Sequence, residues 1–287
     1  KGLIQKRLNS LEQRFCETNL FSYDPYDGLN TPLSGIFFRN KFLERIWQQS
    51  IRLAPVNIRP VIGIKRKIHT KEVSDLLTAS SILCRKFNEE KHYASAGKHF
   101  LLLKELAIKK NKGFAWGLRF KFTTRFVQAD EVTPNLFNTV NALNSLLDFY
   151  LLSKEKSNDE VCGEVEFLIQ RGLNYIFYDL GFSENNNEVT WNYWENLEAK
   201  IFNVNALMVG LLSRCQNIFN SNGYDVLINK TINFLKNSQN ENGSWYYSND
   251  GKGNFIDGFH SGYILEALSV ASLNGFVFEK KFFEKGA

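Results

Sequence analysis

The sequence predicts an all-α protein, an α/α toroid built as a barrel of helical hairpins. Apolar residues recur at the spacing of one helix face along most of the chain, whereas the alternation that is typical of strands is scarce. The linking segments are rich in glycine, asparagine and aromatic residues. Helix–loop–helix pieces also repeat along the chain, which is typical of stacked hairpins.

The helical pattern predicts the following helices, in chain order: 71–87, 96–110, 136–154, 164–180, 200–219, 224–239 and 258–273. Residues 1–70 are expected to form an irregular N-terminal hairpin with loops. With 44% hydrophobic residues, the chain can build a large core, and we expect a single domain over residues 1–287.

Three segments superimpose as an aromatic residue, polar positions and then an apolar helix. They align at Phe137, Phe202 and Phe259, roughly every 60 residues, and a tryptophan-bearing loop precedes each one. A single hairpin cannot bury its own apolar face, so the hairpins must stack. The large aromatic residues on the loops favour closure into a toroid over an open solenoid.

In a toroid of hairpins, the N-termini of the inner helices converge on one mouth. Their free N–H groups and positive dipole ends favour a polar or anionic ligand there. The polar residues that the repeat places at this rim are Asn138, Asn141, Asn203, Asn205, Asp257 and His260.

The charge balance is mild, with 35 basic and 30 acidic residues and a net charge of +5. It does not indicate a nucleic-acid partner. Basic residues gather at 59–71 and at 109–121, either as solvated loop charge or as contacts for an acidic oligosaccharide or polysaccharide. No apolar run approaches the ~20 residues of a transmembrane segment.

The cysteines and histidines match no zinc spacing, and no motif calls for a metal or an organic cofactor. We expect Cys84, Cys162 and Cys215 to be small core residues in a reducing compartment, hence a cytoplasmic protein; Cys16 is the fourth cysteine. Because the chain begins with Lys, a removed signal and a periplasmic location are alternatives to this expectation. The sequence does not predict the oligomeric state.

Asp257 and His260 are the first catalytic candidates. His260 is a general acid or base in one interpretation, with Asp257 orienting it or acting on the sugar directly. In the other, Asp257 caps the helix and His260 packs. Gly258 and Gly262 leave space beside both side chains.

Asp24 and Asp27 are the second catalytic candidates, in the stretch SYDPYDGLN. They either build an Asx-type turn or supply one carboxylate of a hydrolase pair. Glycosidases need two carboxyls about 5–9 Å apart, so the pair would be Asp257 with Asp24 or Asp27.

Candidate substrate-binding residues are of two kinds. Arg59 and Arg125 suit an anion, since a guanidinium binds a carboxylate through two hydrogen bonds, but they equally suit a structural role. The aromatic residues that suit stacking on a sugar, or else anchoring of loops, are Trp116, Trp191, Trp194, Trp245, Tyr246 and Tyr247. Asn205 joins this group from the inner-helix rim.

The stretch KTINFLKNSQNENGSW at 230–245 resembles the Q-x-x-x-G-x-W signature of squalene-cyclase-like repeats. That resemblance implies prenyltransferase-like toroid packing, with Gln239 closing a helix end and Trp245 stacked on it. The D-x-D-D acid motif of those cyclases is missing from the sequence, so the resemblance concerns the fold and not terpene chemistry.

Five stretches resemble a bacterial family encoded among capsule and O-antigen polysaccharide biosynthesis genes; they are 23–30, 57–77, 113–126, 202–212 and 242–268. That family is similar in its general look to six-hairpin glycosidases, sugar 2-epimerases and the helical domain of glucuronyl C5-epimerases. The resemblance carries over at Asp24, Asp27, Arg59, Pro60, Trp116, Arg125, Asn205, Trp245, Asp257 and His260.

The resemblance implies a carbohydrate-active protein of bacterial surface-polysaccharide biosynthesis that acts on an acidic sugar in a central cavity. Hydrolysis, uronate epimerisation and β-elimination all fit these residues. The sequence departs from the family at Lys121, where an Asp is usual, and at Phe202, where the inner helix often opens with His. A non-catalytic glycan-binding or assembly-partner protein is therefore the alternative.

Overall fold

The computed structural model describes residues 10, 20–32, 34, 40–197, 199–251 and 253–286. Cys16 lies outside the described residues. By its internal contacts the chain divides into two compact units. Unit 1 comprises Lys1–Val73 and Gly117–Thr133, and unit 2 comprises Ser74–Trp116 and Pro134–Ala287.

Helices account for most of the described residues. In chain order they are α1 Lys41–Leu53, α2 Thr70–Phe87, α3 Glu90–Glu105, α4 Leu136–Glu155, α5 Asp159–Asn174, α6 Phe202–Phe219, α7 Asp225–Asn237, α8 Gly258–Leu273 and α9 Lys280–Gly286. A 3-10 turn covers Asp27–Asn30, and a π-helical turn, Tyr175–Leu180, follows α5.

Short antiparallel hairpins occupy the long links between helices. The strands are β1 Ile108–Lys109 with β2 Phe114–Ala115, β3 Phe122–Thr123 with β4 Gln128–Ala129, and β5 Phe182–Glu184 with β6 Val189–Trp191. The β3–β4 hairpin belongs to unit 1, and the other two belong to unit 2.

Unit 1 contains a regular helix where the sequence predicts only an irregular hairpin and loops. Helix α1 begins after Asn40, whose side chain accepts the Leu43 N–H at 2.9 Å. Gln48 exchanges two hydrogen bonds with the backbone of Thr123 in β3, at 3.4 and 3.2 Å. The glutamine thus fixes α1 against the β3–β4 hairpin.

Helix α3 begins and ends earlier than the predicted range 96–110. Asn88 takes a positive φ of 53° and ends α2, which leaves room for only a short link before α3. At the other end, the chain extends into β1 because Ile108 pairs with Ala115 across a tight hairpin. Strand pairing therefore overrides a helical apolar pattern in residues 108–110.

Helix α5 begins earlier than the predicted range 164–180. Asn158 caps it by accepting the Val161 N–H at 3.2 Å, and acidic residues follow in the first turn, where they oppose the helix dipole. The π-helical turn continues to Leu180, and Gly181 ends it at a φ of +76°.

Of the inner helices α4, α6 and α8, the first two share a contact at their starts. The Trp116 N–H is bonded to Thr139 Oγ1 at 3.1 Å, and the Trp191 N–H to Asn205 Oδ1 at 2.7 Å. Thr139 and Asn205 each occupy the fourth position of their helix. The sequence superposition at Phe137 and Phe202 is therefore out of register by one residue, because it aligns aromatic residues and not helix caps.

Close backbone approach holds the inner helices of unit 2 together. A Cβ on Gly210 of α6 would lie 3.4 Å from the Ala267 Cα of α8, so the two helices meet at ordinary contact distance. Large aliphatic side chains from α4 and α6 fill the space around them, and nearly all are fully buried.

The Q-x-x-x-G-x-W stretch lies between α7 and α9 and contacts both. Gln239 Nε2 donates to the carbonyls of Gly243 and Phe282, at 2.9 and 3.1 Å. The indole of Trp245 donates to Leu235 O at 2.8 Å and packs edge-on against Phe282. The motif thus ties the end of α7 to α9.

Candidate active site

Asp257 and His260 form a hydrogen-bonded pair at the start of α8. Asp257 is the N-cap, and its Oδ1 accepts the His260 N–H at 2.7 Å. The same carboxylate faces the imidazole, with Nδ1 2.9 Å from Oδ1 and 2.7 Å from Oδ2. Both side chains are partly exposed, 38% for Asp257 and 27% for His260. One carboxylate therefore caps the helix and orients the imidazole.

This geometry suits His260 to general base chemistry. A carboxylate beside Nδ1 favours the tautomer that carries its proton there and leaves a lone pair on Nε2. Within the part of the chain that the structure describes, Nε2 has no hydrogen-bond partner. A ligand proton can therefore be transferred to Nε2 while Asp257 stabilises the imidazolium that forms.

Helix α4 carries an uncharged version of the same pair. Asn135 is its N-cap, and Oδ1 accepts both the Asn138 N–H at 2.9 Å and the Asn138 amide at 3.1 Å. Both asparagines are buried. Capping an inner helix therefore requires neither a charge nor an imidazole, and Asp257 with His260 places both at an exposed position. Capping alone does not explain that difference.

The carboxylate of Asp257 stays ionised to low pH. Burial raises its pKa. The hydrogen bonds from the His260 backbone and imidazole, together with the charge of that ring, lower the pKa by more than burial raises it. The net pKa lies below the ordinary value of 3.8. Asp257 is thus an anion at neutral pH.

Aromatic rings surround the imidazole. Tyr247, Phe259 and Phe255 lie edge-on to His260, with ring centroids 4.8, 5.4 and 6.0 Å away. Tyr247 and Phe255 are stacked on each other at 5.0 Å. Phe255, Phe259 and the adjacent Tyr246 are 40 to 65% exposed. Such faces suit stacking on a sugar ring.

Tyr193 and Tyr263 bring phenol groups to the same region. The Tyr263 ring packs edge-on against Phe137 at 5.4 Å and Phe259 at 5.0 Å. Burial raises the pKa of Tyr263, and neighbouring carboxylates raise it further. Burial also holds the pKa of Tyr193 well above its ordinary value, with the phenols of Tyr247 and Tyr263 adding to the shift. At neutral pH both groups are hydrogen-bond donors.

Backbone contacts fix two of these tyrosines at the starts of inner helices. The Tyr193 carbonyl accepts the Leu136 N–H at 2.9 Å, and the Tyr247 carbonyl accepts the Phe202 N–H at 3.2 Å. In each case a tryptophan stands two residues before the tyrosine. This W-x-Y repeat is the signal that would have identified Tyr193, which sequence reasoning missed along with Tyr263.

Three predicted substrate-binding residues are instead buried within unit 2. Trp116 is fully buried, and its indole donates to Leu103 O at 2.8 Å. Asn205 is fully buried and bonded to the backbone of Trp191. Trp245 is 2% exposed within its motif. These buried side chains therefore anchor loops, which is the alternative to sugar stacking that the sequence offers for the aromatic residues.

Unit 1 brings Asp24, Asp27 and Arg59 together. Arg59 Nε donates to Asp27 Oδ1 at 2.6 Å, and its Nη2 donates to the carbonyls of Asp24 and Pro25 at 3.1 Å. Asp24 Oδ1 accepts the Tyr26 N–H at 2.8 Å, as in an Asx turn. The guanidinium of Arg59 is thus engaged by the turn at residues 24–27.

Asp24 differs electrostatically from Asp257. Burial is the largest influence and raises its pKa; the Tyr26 N–H, His69 and Arg59 lower it, and the charge of Asp27 raises it. The net pKa lies above 3.8. Asp24 therefore holds its proton to higher pH than an ordinary aspartate and is an acid group of unit 1.

Lys121 directly precedes the β3–β4 hairpin of unit 1, and Arg125 lies within it. Lys121 lines a pocket of about 260 Å³ together with Glu44 and Asp130, and its N–H donates to Asn30 at 3.0 Å. The Arg125 guanidinium lies 5.6 Å from the centroid of the neighbouring phenylalanine ring. Arg125 is thus placed beside an aromatic face of its own hairpin.

Phe202, where the resembled family often has His, is a core residue. It is 4% exposed and packs against Phe234 with ring centroids 5.4 Å apart. An apolar ring therefore stands where the resembled family often has an imidazole, and among the described starts of α4, α6 and α8 the only histidine is His260.

Over the described ranges, no group of three or more histidine, cysteine or acidic side chains is arranged to hold a metal ion. In the same residues, no helix is both long and apolar enough to cross a membrane.

The fold is similar to those of carbohydrate-active proteins of known structure. Cellobiose 2-epimerase from Spirochaeta thermophila DSM 6192 aligns with a TM-score of 0.55 and 11% identity, over 76% of this chain and 56% of that one. The enzyme of the same name from Bacillus thermoamylovorans B4167 aligns at 0.52 and 15%, over 76% and 58%. A GH76 α-mannanase from Bacteroides thetaiotaomicron aligns at 0.53 and 12%, also over 76% and 58%.

These likenesses confirm the predicted α/α-toroid fold class. The chain spans less than three fifths of the length of the aligned structures. Neither a protein-family model nor a curated protein matches the sequence.

Proposed function

We propose that the protein is a carbohydrate-active enzyme that acts on an acidic sugar or glycan where α4, α6 and α8 begin. One observation carries the proposal. His260 is oriented by Asp257 at the partly exposed start of α8, whereas the equivalent pair at the start of α4 is neutral and buried. The surrounding aromatic faces suit a sugar, and structures of similar fold are named as sugar epimerases and glycosidases.

The groups at this site suit removal of a proton next to a carboxylate. His260 Nε2 takes the C5 proton of a uronate, and Asp257 stabilises the resulting imidazolium. Negative charge then develops on the carboxylate oxygens, where the phenols of Tyr193 and Tyr263 can donate hydrogen bonds. Delivery of a proton to the opposite face of C5, from a phenol that solvent then reprotonates, gives the C5 epimer. Departure of the C4 substituent as an alcohol, with the imidazolium returning its proton to the leaving oxygen, gives an unsaturated uronate.

Both of these reactions use the imidazole directly, so we place them ahead of hydrolysis, which needs two carboxyls about 5–9 Å apart. Asp24 belongs to unit 1, where burial raises its pKa, and no step of the proposed reaction is assigned to it. We assign Asp27 and Arg59 to the turn that holds Asp24.

The pathway is part of the same proposal. The stretches that resemble the capsule and O-antigen family support a role in surface-polysaccharide biosynthesis. Cys84, Cys162 and Cys215 are free thiols and fit a reducing compartment such as the cytoplasm.

A non-catalytic glycan-binding protein is the second candidate. The observation that favours it is Phe202, because a buried phenylalanine replaces the histidine expected from the resemblance. Such a protein would bind the sugar on the rings around His260 without turning it over.

Proton NMR of the products separates these functions. Wild-type protein is incubated with glucuronate-, iduronate- and galacturonate-containing oligosaccharides, and spectra are followed for an epimerised C5, an unsaturated end or a new reducing end. We expect one of the first two, and His260→Asn should remove it. Ligand-induced shifts without any product would favour the binding protein. A new reducing end that persists in His260→Asn would contradict the proposed role of the imidazole.

A further inference from the structure

Helix α1 of unit 1 carries an exposed apolar stripe. Phe42, Ile46 and Leu53 are 68%, 50% and 75% exposed. They occupy positions i, i+4 and i+11 and therefore lie within about 40° of one another around the helix axis. Single apolar residues are common on protein surfaces, but an aligned set of large ones is typical of an interaction surface.

The opposite face of α1 packs inside unit 1. Gln48 is bonded to the backbone of Thr123 in β3, and Ile51 is 2% exposed. A Cβ added to Gly28 would lie 3.2 Å from the Ile51 side chain, so the helix and the 3-10 turn are in close contact. Glu44, the only acid of the helix, accepts the Thr123 hydroxyl at 2.6 Å. The stripe is therefore exposed on a helix that is held in place, and the acid of that helix is directed at β3.

A basic stripe runs beside the apolar one. Lys41, Arg45 and Arg52 repeat the same spacing one residue earlier, which places them about 100° around the helix axis. All three are exposed. Arg52 lies 4.7 Å from the centroid of the Tyr26 ring, whereas in the part of the chain that the structure describes neither Lys41 nor Arg45 forms an ion pair. Two cations beside the apolar stripe can therefore meet an external anion.

The chain after α1 has the same character. Residues 41–67 contain seven basic residues and one acidic residue, whereas the whole chain has 35 and 30. Val56 and Val61 are exposed apolar residues of this segment, and Lys65 and Arg66 are exposed basic ones. Exposed apolar and basic side chains thus continue beyond the helix.

Charge and apolar character together select the partner. A second copy of the chain would bring two basic stripes together, and their repulsion opposes pairing of the apolar stripes. Nucleic-acid phosphates would match the charge but not three aligned apolar side chains. An anionic lipid surface matches both, because it attracts Lys and Arg while apolar side chains enter the boundary between headgroups and acyl chains.

We propose that this face of unit 1 docks on an anionic lipid bilayer, with Phe42, Ile46 and Leu53 inserted and Lys41 and Arg45 against the headgroup phosphates. The contact is peripheral, since α1 stays packed on β3 through its opposite face. It does not rest on the function proposed for unit 2.

Vesicle co-sedimentation tests this surface. The protein is centrifuged with vesicles of equal parts phosphatidylglycerol and phosphatidylcholine, and with vesicles of phosphatidylcholine alone, in about 0.1 M NaCl. We expect binding to the anionic vesicles. Binding should be at least about tenfold weaker to the neutral vesicles, and also to the anionic ones in about 0.5 M NaCl, where the charges are screened.

Two double variants of α1 separate the contributions. Lys41→Gln with Arg45→Gln should weaken binding on the order of 25-fold, about fivefold for each basic side chain at an anionic surface. Phe42→Gln with Ile46→Gln should weaken it at least about tenfold, because two large apolar side chains no longer leave water. Both variants should keep the melting temperature of the wild type, since the replaced side chains are exposed.

Matched controls come from exposed positions of unit 2. Lys98→Gln with Lys281→Gln removes the same charge as the basic double variant. Ile82→Gln with Leu101→Gln removes two apolar side chains of similar exposure, 52% and 54%. We expect both controls to bind the anionic vesicles as the wild type does.

Each outcome decides the proposal. Absence of co-sedimentation with the anionic vesicles overturns it, and so does binding that either double variant of α1 leaves unchanged. Equal losses in the α1 variants and the unit 2 controls would show a contact without a defined face and would also overturn it. Light scattering tests the second copy: a wild-type dimer that Phe42→Gln with Ile46→Gln dissociates would assign the stripe to self-association instead.

Discussion

Replacing Asp257 separates its capping role from its catalytic one. Asparagine caps a helix about as well as aspartate, so Asp257→Asn should change the free energy of unfolding by no more than a few tenths of a kcal/mol. Alanine removes the acceptor of the 2.7 Å bond from the His260 N–H, so Asp257→Ala should cost about 1 kcal/mol. For a domain of this size that lowers the melting temperature by about 2–4 °C.

Turnover, unlike stability, should be lost in both Asp257→Asn and Asp257→Ala. Both variants remove the charge that orients and stabilises the imidazole, so each should lose at least about 100-fold in kcat. Thermal unfolding and product NMR are measured on the same preparations, with Asn135→Asp in α4 as a control for a charge at an inner-helix cap. Full activity in Asp257→Asn together with destabilised Asp257→Ala would refute a catalytic role and leave only capping.

Further predictions concern packing and pH. Gly172→Ala should destabilise the protein by about 1–3 kcal/mol in chemical denaturation, because the new Cβ would overlap a buried leucine. Gly163→Ala on the same helix has open space around it and should stabilise the protein by about 0.5–1 kcal/mol. Equal effects of the two substitutions would contradict the packing. Gln239→Ala should cost about 1–3 kcal/mol because two carbonyls lose their donor; an unchanged denaturation midpoint would show that α9 does not depend on it. Asp24→Asn should be more stable than wild type at pH 7, and the gain should vanish as the pH falls through the raised pKa of Asp24 to below 3.8. Asp257 has the opposite sign: its lowered pKa makes the wild type lose stability relative to Asp257→Asn as the pH falls below 3.8.

Much of the fold follows from periodicity and repetition. The apolar spacing predicts α4, α6 and α8 to within about two residues, because their inner faces are buried along the whole length. It fails at residues 108–110, where strand pairing in a hairpin overrides a helical pattern. The prediction also leaves out α1, although its apolar residues recur at helical spacing.

The site follows from sequence only in part. Asp257 and His260 were predicted because they form a titratable pair at a helix start. The starts of the other two repeats carry asparagines instead. Trp116 and Trp245 were predicted as sugar platforms but are buried, since an indole on a loop serves equally to anchor it. Tyr193 was missed because the superposition aligned the helix starts and not the W-x-Y segments of the loops, Trp191–Tyr193 and Trp245–Tyr247.

The exchange of the C5 proton is the measurement closest to the central claim. Wild type and His260→Asn are incubated in D2O with a uronate-containing oligosaccharide that the wild type turns over, and deuterium at C5 is followed by NMR. We expect deuterium at C5 of the substrate or product with wild type, and a rate at least about 100-fold lower with His260→Asn, whose amide reproduces the cap of α4. Undiminished exchange in His260→Asn would show that the proton is not carried by this imidazole.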